Sequence, residues 1–296
     1  MIEFNKYYNH FNFVSTFLVV ISLLLLIFKG LNFGIDFKGG TLIELRSTDN
    51  KINVSSLRDK LSQMNLGDVS VKKFGNNTDY LIKFENKDNR KNIIEEIKTN
   101  LDKSFGNNFS FRRVENVGPK VSAELLKSGV IAISLSLAVM LFYIWIRFEW
   151  QFSLGAILAL FHDVIVTLGI FSLFSLEINL SIIAAVLTIV GYSMNDTVVI
   201  YDRIRENLSK YSSSTVEDIS NISINETLSR TIITSVTTLL ALGSIFVLGG
   251  EILKGFSLAM IIGVIIGTYS SIFVASPILK YLNVSYKSIA KDVEKN

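Results

Sequence analysis

The sequence predicts a polytopic α-helical membrane protein: six transmembrane helices, with one extracytoplasmic α+β domain between helices 1 and 2. Three observations carry this expectation. Of 296 residues, 49% are hydrophobic and 19% are charged, with a mean hydropathy of +0.43, whereas soluble domains average about 25% charged residues. Six apolar runs are each long enough to span a hydrocarbon core of about 30 Å, which takes about 20 helical residues. The one long polar interval, 31–127, has the alternating and helical periodicities of a small folded domain.

In chain order, the expected spans are Phe11–Phe28, Ser128–Ile146, Phe152–Leu176, Leu180–Tyr201, Thr231–Leu248 and Phe256–Leu279. The first reads as a retained anchor rather than a signal peptide, because its apolar stretch is long, only Lys6 leads it and no A-x-A site follows. Six spans place Arg147, Arg203, Arg205, Lys210, Lys280, Lys287 and Lys291 on one side. The opposite short loops hold Lys254, Glu177 and Glu251, so both termini are expected in the cytoplasm. The expected divisions are residues 1–30 (N-terminus and helix 1), 31–127 (outer domain), 128–279 (helices 2–6 with a cytoplasmic loop over 202–230) and a tail, 280–296.

Within the outer domain the pattern predicts strand Thr41–Ser47, helix Val54–Met64, strands Val69–Phe74 and Asp79–Glu85, helix Asp88–Ser104 and strand Asn108–Glu115. Asn76-Asn77 supplies the turn and Asp88 an N-cap. The order βαββαβ is that of a ferredoxin-like sandwich. Two segments join it to the bilayer: Gly34-Ile35-Asp36-Phe37-Lys38-Gly39-Gly40 on entry and Val117-Gly118-Pro119-Lys120 on exit. Glycine admits positive φ and proline restricts it, which predicts a rigid elbow or hinge, with Asp36 a candidate for contacting a partner.

Several function classes are excluded or disfavoured. A net charge of +3 without basic runs gives no support for nucleic-acid binding. The absence of cysteine removes disulfides, thiolate metal sites and a cysteine nucleophile. No G-x-x-x-x-G-K-[ST] string is present for ATP, and neither a catalytic constellation nor a cofactor or metal site is expected.

What remains are ionisable groups at membrane depth, which cost about 2.5–3.5 kcal/mol each to insert and so mark pairing, water or an ion path. Helix 3 carries His162 and Asp163; helix 4 carries Thr188, Tyr192, Asn195 and Asp196 on adjoining turns; helix 5 begins with Arg230 and continues Thr234, Thr237 and Thr238. Stacked at spacings of three and four, these form one expected polar seam. The threonines can equally bond their own helix carbonyls, and His162 can serve helix packing alone. Asp196 is different: a buried carboxylate takes up protons, and Arg230 is its natural counter-charge. Ala259, Gly263, Gly267, Ser271 and Ala275 form a small-residue face for close helix approach, within the chain or against a second protein. Asp202-Arg203-Ile204-Arg205-Glu206-Asn207 reads as a solvated helix end.

The glycine elbow, Gly191-Tyr192-Ser193-Met194-Asn195-Asp196-Thr197-Val198-Val199 with the charged string after it, and Gly267-Thr268-Tyr269-Ser270-Ser271 together resemble the SecD/SecF family of bacterial protein-export subunits. The resemblance covers nearly the whole chain. It implies a six-helix unit like half of an RND-superfamily machine, in the bacterial cytoplasmic (inner) membrane. It further implies pairing with a SecD partner, association with the SecYEG channel, and use of the proton-motive force to assist late translocation of preproteins. By the same resemblance, Asp196 and Arg230 match the family's membrane-embedded groups for proton movement. Rival readings are a half-transporter for lipids or small hydrophobic molecules, an intramembrane aspartyl protease using Asp163 and Asp196, which lacks the expected Gly-x-Gly-Asp string, and a passive scaffold.

Overall fold

The computed structural model describes residues 1–48, 52–64, 66–67, 69–73, 78–84, 92–106, 108–211 and 213–286, apart from the side chains of 251–252. These fall into two compact units, Phe33–Ile131 and a second formed by Met1–Asn32 with Ala132–Asn296. The expected Asn76-Asn77 turn and Asp88 cap lie outside the described residues.

In the outer unit a short helical turn α2 (Ile35–Lys38) precedes strand β1 (Gly40–Ser47), helix α3 (Val54–Ser62), strands β2 (Val69–Lys73) and β3 (Asp79–Phe84), helix α4 (Ile93–Phe105) and strand β4 (Phe109–Val117). The strands form one antiparallel sheet in the order β2-β3-β1-β4, the arrangement βαββαβ connectivity gives when each helix returns the chain across one face. Alternation buries Ile43, Leu45, Tyr80, Ile82, Val69 and Val71 against Leu57, Leu61, Ile97 and Leu101 of the helices. Tyr80 satisfies its hydroxyl by donating to the Ile52 carbonyl at 2.6 Å. Between Glu44 and Leu45 the β1–β4 register shifts, leaving Arg112 as the extra residue of a bulge.

On this sheet the Arg46 guanidinium donates to both carboxylate oxygens of Asp79, at 2.6 and 2.7 Å. These hydrogen bonds hold the Asp79 carboxyl below its ordinary range. A folded value below the unfolded one of about 3.9 makes the pair's contribution complete above that pH and lost as pH falls through the folded value. The protection of the β1 and β3 amides in the full chain, measured by hydrogen exchange relative to the intrinsic rate at each pH, should therefore fall below about pH 4. Asp79→Asn should raise exchange at pH 7 and flatten the acid dependence. Equal pH profiles for the two proteins would contradict this.

The helical unit is built from α1 (Tyr8–Phe28, preceded by a 3₁₀ turn Phe4–Tyr7), α5 (Pro119–Arg147), α6 (Trp150–Leu173), α7 (Leu180–Lys210), α8 (Val216–Leu248) and α9 (Gly250–Ser270). From α9 the chain passes through a π-helical turn, Ser271–Ala275, into α10 (Ser276–Tyr281). Among the described residues, six helices, the last running Leu253–Tyr281, are long and apolar enough to cross a membrane. Half or more of α6, α7 and the last span is buried, against about a tenth of α1 and α5. Proline opens α5, where its missing N–H costs nothing.

One expectation changes. The interval 202–230 is mostly helical, since α7 continues to Lys210 and α8 starts at Val216. Thr215 caps α8 by accepting from the Asp218 N–H, with Glu217 and Asp218 in the first turn. Arg203 joins the two helix ends through Glu226 of α8 at 2.7 Å, while Arg203–Glu206 at 2.5 Å and Lys210–Glu206 at 2.6 Å brace the last turns of α7 itself. Arg147 pairs with Asp202, and Arg205 with the buried Glu149. The apolar span was legible, but its polar continuation needed these tertiary partners to stay helical.

Candidate functional site

The expected single seam is two separate sets of polar groups. The deeper one centres on Asp163 of α6, fully buried. His162 Nδ1 and Asp163 Oδ1 share a hydrogen bond at 2.9 Å, Ser193 of α7 donates to Oδ2 at 2.5 Å, and Ser270 of α9 donates to the same oxygen at 2.8 Å. One turn along α7, Thr197 meets Ser271 at 2.8 Å. Three helices thus converge on one carboxylate, and Ser193 and Ser270 were not among the expected seam residues: they are small hydroxyls, present in the quoted motifs, whose partners are fixed only when the helices are assembled.

The second set surrounds Asp196, three residues from Ser193 on α7 and 3% exposed. Thr268 of α9 lies beside its carboxylate and acts on it, and Thr268 in turn meets Ser235 of α8 at 2.7 Å. The other oxygen, Oδ2, is buried without a partner, as is the Tyr192 hydroxyl one turn before. Arg230 acts on Asp196 through its charge, but among the described residues no ion pair within 4.0 Å joins them, and Arg230 is exposed on α8. Thr234 and Thr237 bond back to their own helix, to Arg230 and Thr231 carbonyls and to Ile233 and Thr234 carbonyls respectively. Thr238 is half-buried, Thr188 bonds back to the Ala184 carbonyl, and Asn195 faces outward. Ser235 and Thr268, rather than the threonine stripe, connect α8 to the carboxylate; the motif Gly267-Thr268-Tyr269-Ser270-Ser271 was the available signal for Thr268 and Ser270.

The small-residue face of α9 is filled within the chain by α7. A Cβ at Gly263 would collide with the Ile189 side chain, and one at Gly267 would come within 2.9 Å of Ser193 Cβ. Ala259 and Ser271 are fully buried, and Tyr201 donates to the Ala275 carbonyl at 2.9 Å. The approach that glycine permits is what brings Ser193 and Ser270 to the same oxygen.

At the entry elbow Gly34 precedes α2, while Gly39 and Gly40 take φ of 80° and 147°. A Cβ on Gly40 would lie 2.6 Å from the Phe84 carbonyl oxygen of β3, so glycine is required there by both conformation and space. Gly40 pairs with Val117 across β1 and β4, and Gly118 and Pro119 turn the chain into α5. Asp36 is half-buried in α2.

Residues 96–285 match the family described as protein export membrane protein SecD/SecF, C-terminal, and residues 24–50 match the SecD/SecF GG motif. The chain belongs to the SecD/SecF family. Within it, the similarity is to SecF: the chain is 49% identical to protein translocase subunit SecF of Rickettsia bellii over 89% of this chain and 88% of that one. It is 45% identical to that of Cereibacter sphaeroides over 94% and 88%. A crystal structure of SecDF from Thermus thermophilus, called a translocon-associated membrane protein, superposes with a TM-score of 0.85 at 35% identity, over 95% of this chain and 38% of that one. A SecDF structure in a super-membrane-facing form gives 0.71 at 33% identity, covering 40% of its chain. The GG motif of the SecD/SecF family contains Gly39 and Gly40, and the C-terminal match contains both Asp163 and Asp196.

Proposed function

We propose that this chain is the SecF-type subunit of a Sec protein-export translocase, a multi-pass protein of the bacterial inner membrane with both termini in the cytoplasm. It pairs with a SecD partner, associates with the SecYEG channel, and uses the proton-motive force to assist late translocation of preproteins, without an ATP site. Asp196 and Arg230 carry the proton coupling in this reading. The observation that carries it is the Asp196 carboxylate: buried in a membrane-length helix, with one oxygen unpartnered and a guanidinium acting on it from the neighbouring helix. A carboxylate so placed changes its charge when it exchanges a proton, and its helix contacts reorganise with that change.

Partnering is supported by the exposed face of α7 and α8, where Asn195, Arg230 and Thr237 lie outward. Polar groups on a lipid-facing surface carry the insertion cost given above, which a second helical unit removes. The similar SecDF chains are longer, and this chain spans 38–40% of them. Proton uptake would then alter helix packing and act on the outer domain through the glycine elbow.

The test is co-purification from the native membrane followed by reconstituted export with and without a proton gradient. Recovery with SecD, and a gradient-dependent late stage that disappears when this subunit is omitted, is the expected result. Isolation without SecD, together with gradient-driven efflux of lipids or small hydrophobic molecules, would replace the proposal with the half-transporter.

A further inference from the structure

Asp163 accepts from the Ser193 and Ser270 hydroxyls at Oδ2 and meets the His162 ring nitrogen Nδ1 at Oδ1. With two hydroxyls donating to Oδ2, Oδ1 is the oxygen left to face the imidazole. An Nδ1–H that donates to Asp163 leaves Nε2 of a neutral imidazole as a bare lone pair. That Nε2 is buried, on a side chain only 4% exposed, and has no partner. The result is a net negative pair in an apolar helix bundle with an unoccupied basic nitrogen on it, and adding one proton to Nε2 makes the pair neutral overall.

We infer that the His162–Asp163 couple is a second proton-binding site of the helical unit, distinct from Asp196, with His162 Nε2 the atom that takes the proton and Asp163 its built-in counter-charge. In the step, a proton from water adds to the Nε2 lone pair, the imidazole becomes imidazolium, and no other bond is broken. The elements around α6 bring few competing charges. α1 contributes Tyr8, whose hydroxyl is buried, and His10, which is exposed. α7 contributes Tyr192, Asp196 and Tyr201, the last donating to the Ala275 carbonyl. α9 contributes Tyr269, whose ring lies 6.1 Å from the His162 ring and whose hydroxyl bonds Ser15 and the Phe11 carbonyl of α1. α10 contributes Lys280, paired with Glu217. Among the described residues, Asp163 is the one acidic group within 4.0 Å of a His162 ring nitrogen.

The site also has a route to a conformational response. Ser270 has a second acceptor, the Gly267 carbonyl at 3.1 Å, and stands immediately before the π-helical turn Ser271–Ala275. Such turns are rare inside α-helices and recur at functional positions. When Nε2 is charged, the imidazolium competes for the carboxylate and Ser270 can turn to its own helix.

The chain holds two histidines, His10 and His162, so a His10→Gln protein carries one imidazole. Nitrogen-15 NMR of histidine-labelled His10→Gln protein in lipid, in complex with its membrane partner, reads tautomer and charge directly between about pH 8 and pH 5. The expected result is an Nδ1–H neutral ring at the alkaline end that converts to imidazolium on acidification. Adding Asp163→Asn should abolish that conversion over the same range. Adding Asp196→Asn should leave it in place, so loss of the Asp196 reading would not touch this one. A ring that stays neutral throughout, stays charged throughout, or carries its neutral proton on Nε2 overturns the inference without recourse to any variant at Asp163.

Discussion

Asp196→Asn will leave the protein inserted and folded while removing the gradient-dependent part of export. Asparagine keeps the shape and the Thr268 contact, and it fills the buried position without a charge, so the helical unit loses nothing large. What it cannot do is alternate between charged and neutral forms. Moving one charge through about 100 mV supplies about 2.3 kcal/mol; at about 1.4 kcal/mol per factor of ten, a fully coupled step slows up to about fifty-fold without it. The measurement is the reconstituted export assay with the gradient imposed and then dissipated. Wild-type protein should show the difference and the variant should not. A variant that still responds to the gradient would rule out Asp196 as the coupling group, and the same assay on Arg230→Met would report whether the guanidinium of α8 contributes.

Gly267→Leu should have the largest effect on the fold. The position faces Ser193 so closely that even a methyl group would lie 2.9 Å from its Cβ and 3.2 Å from its Cα. The obstacle includes backbone rather than the far end of a flexible chain, so α7 and α9 must separate. Overpacking of this kind costs about 1–3 kcal/mol in well-packed interiors, and separation also withdraws the Ser193 and Ser270 hydroxyls from Asp163, leaving a buried charge short of donors. Thermal unfolding of the purified protein in detergent should fall well below wild type, and the inserted yield with it. Gly263→Ala is the comparison against a side chain alone, since the three atoms nearest its Cβ would be Cγ1, Cγ2 and Cδ1 of Ile189, none of them backbone. If Gly267→Leu melts with the wild type, the close contact of α7 with α9 is not what organises the bundle.

Much of the architecture was readable from residue order. The six apolar spans, the βαββαβ pattern and the elbow glycines follow from local rules: length against bilayer thickness, alternation against helical period, and the φ that only glycine takes without strain. Asp163 and Asp196 stood out because a carboxylate in an apolar run is conspicuous on its own. The helical extension past Tyr201 to Lys210 was less visible, since its stability rests on Arg203, Glu226 and Asn207 meeting across two helices.

By itself, then, the sequence determined that this is a six-helix membrane protein with one inserted α+β domain, and which acidic groups lie within the bilayer. Only the tertiary structure decided how those groups are divided. Residues three apart on α7, Ser193 and Asp196, serve different centres, because α9 approaches that helix along a face of glycines and serines and offers Ser270 to Asp163 and Thr268 to Asp196. Spacing along one helix tells which residues share a face. Which neighbouring helix meets each of them, and whether the partner is a hydroxyl, an imidazole or nothing, is a property of the packed bundle. That is why the expected pairing of Asp196 with Arg230 appears as an electrostatic neighbour rather than an ion pair, and why the His162–Asp163 couple emerges as a centre of its own.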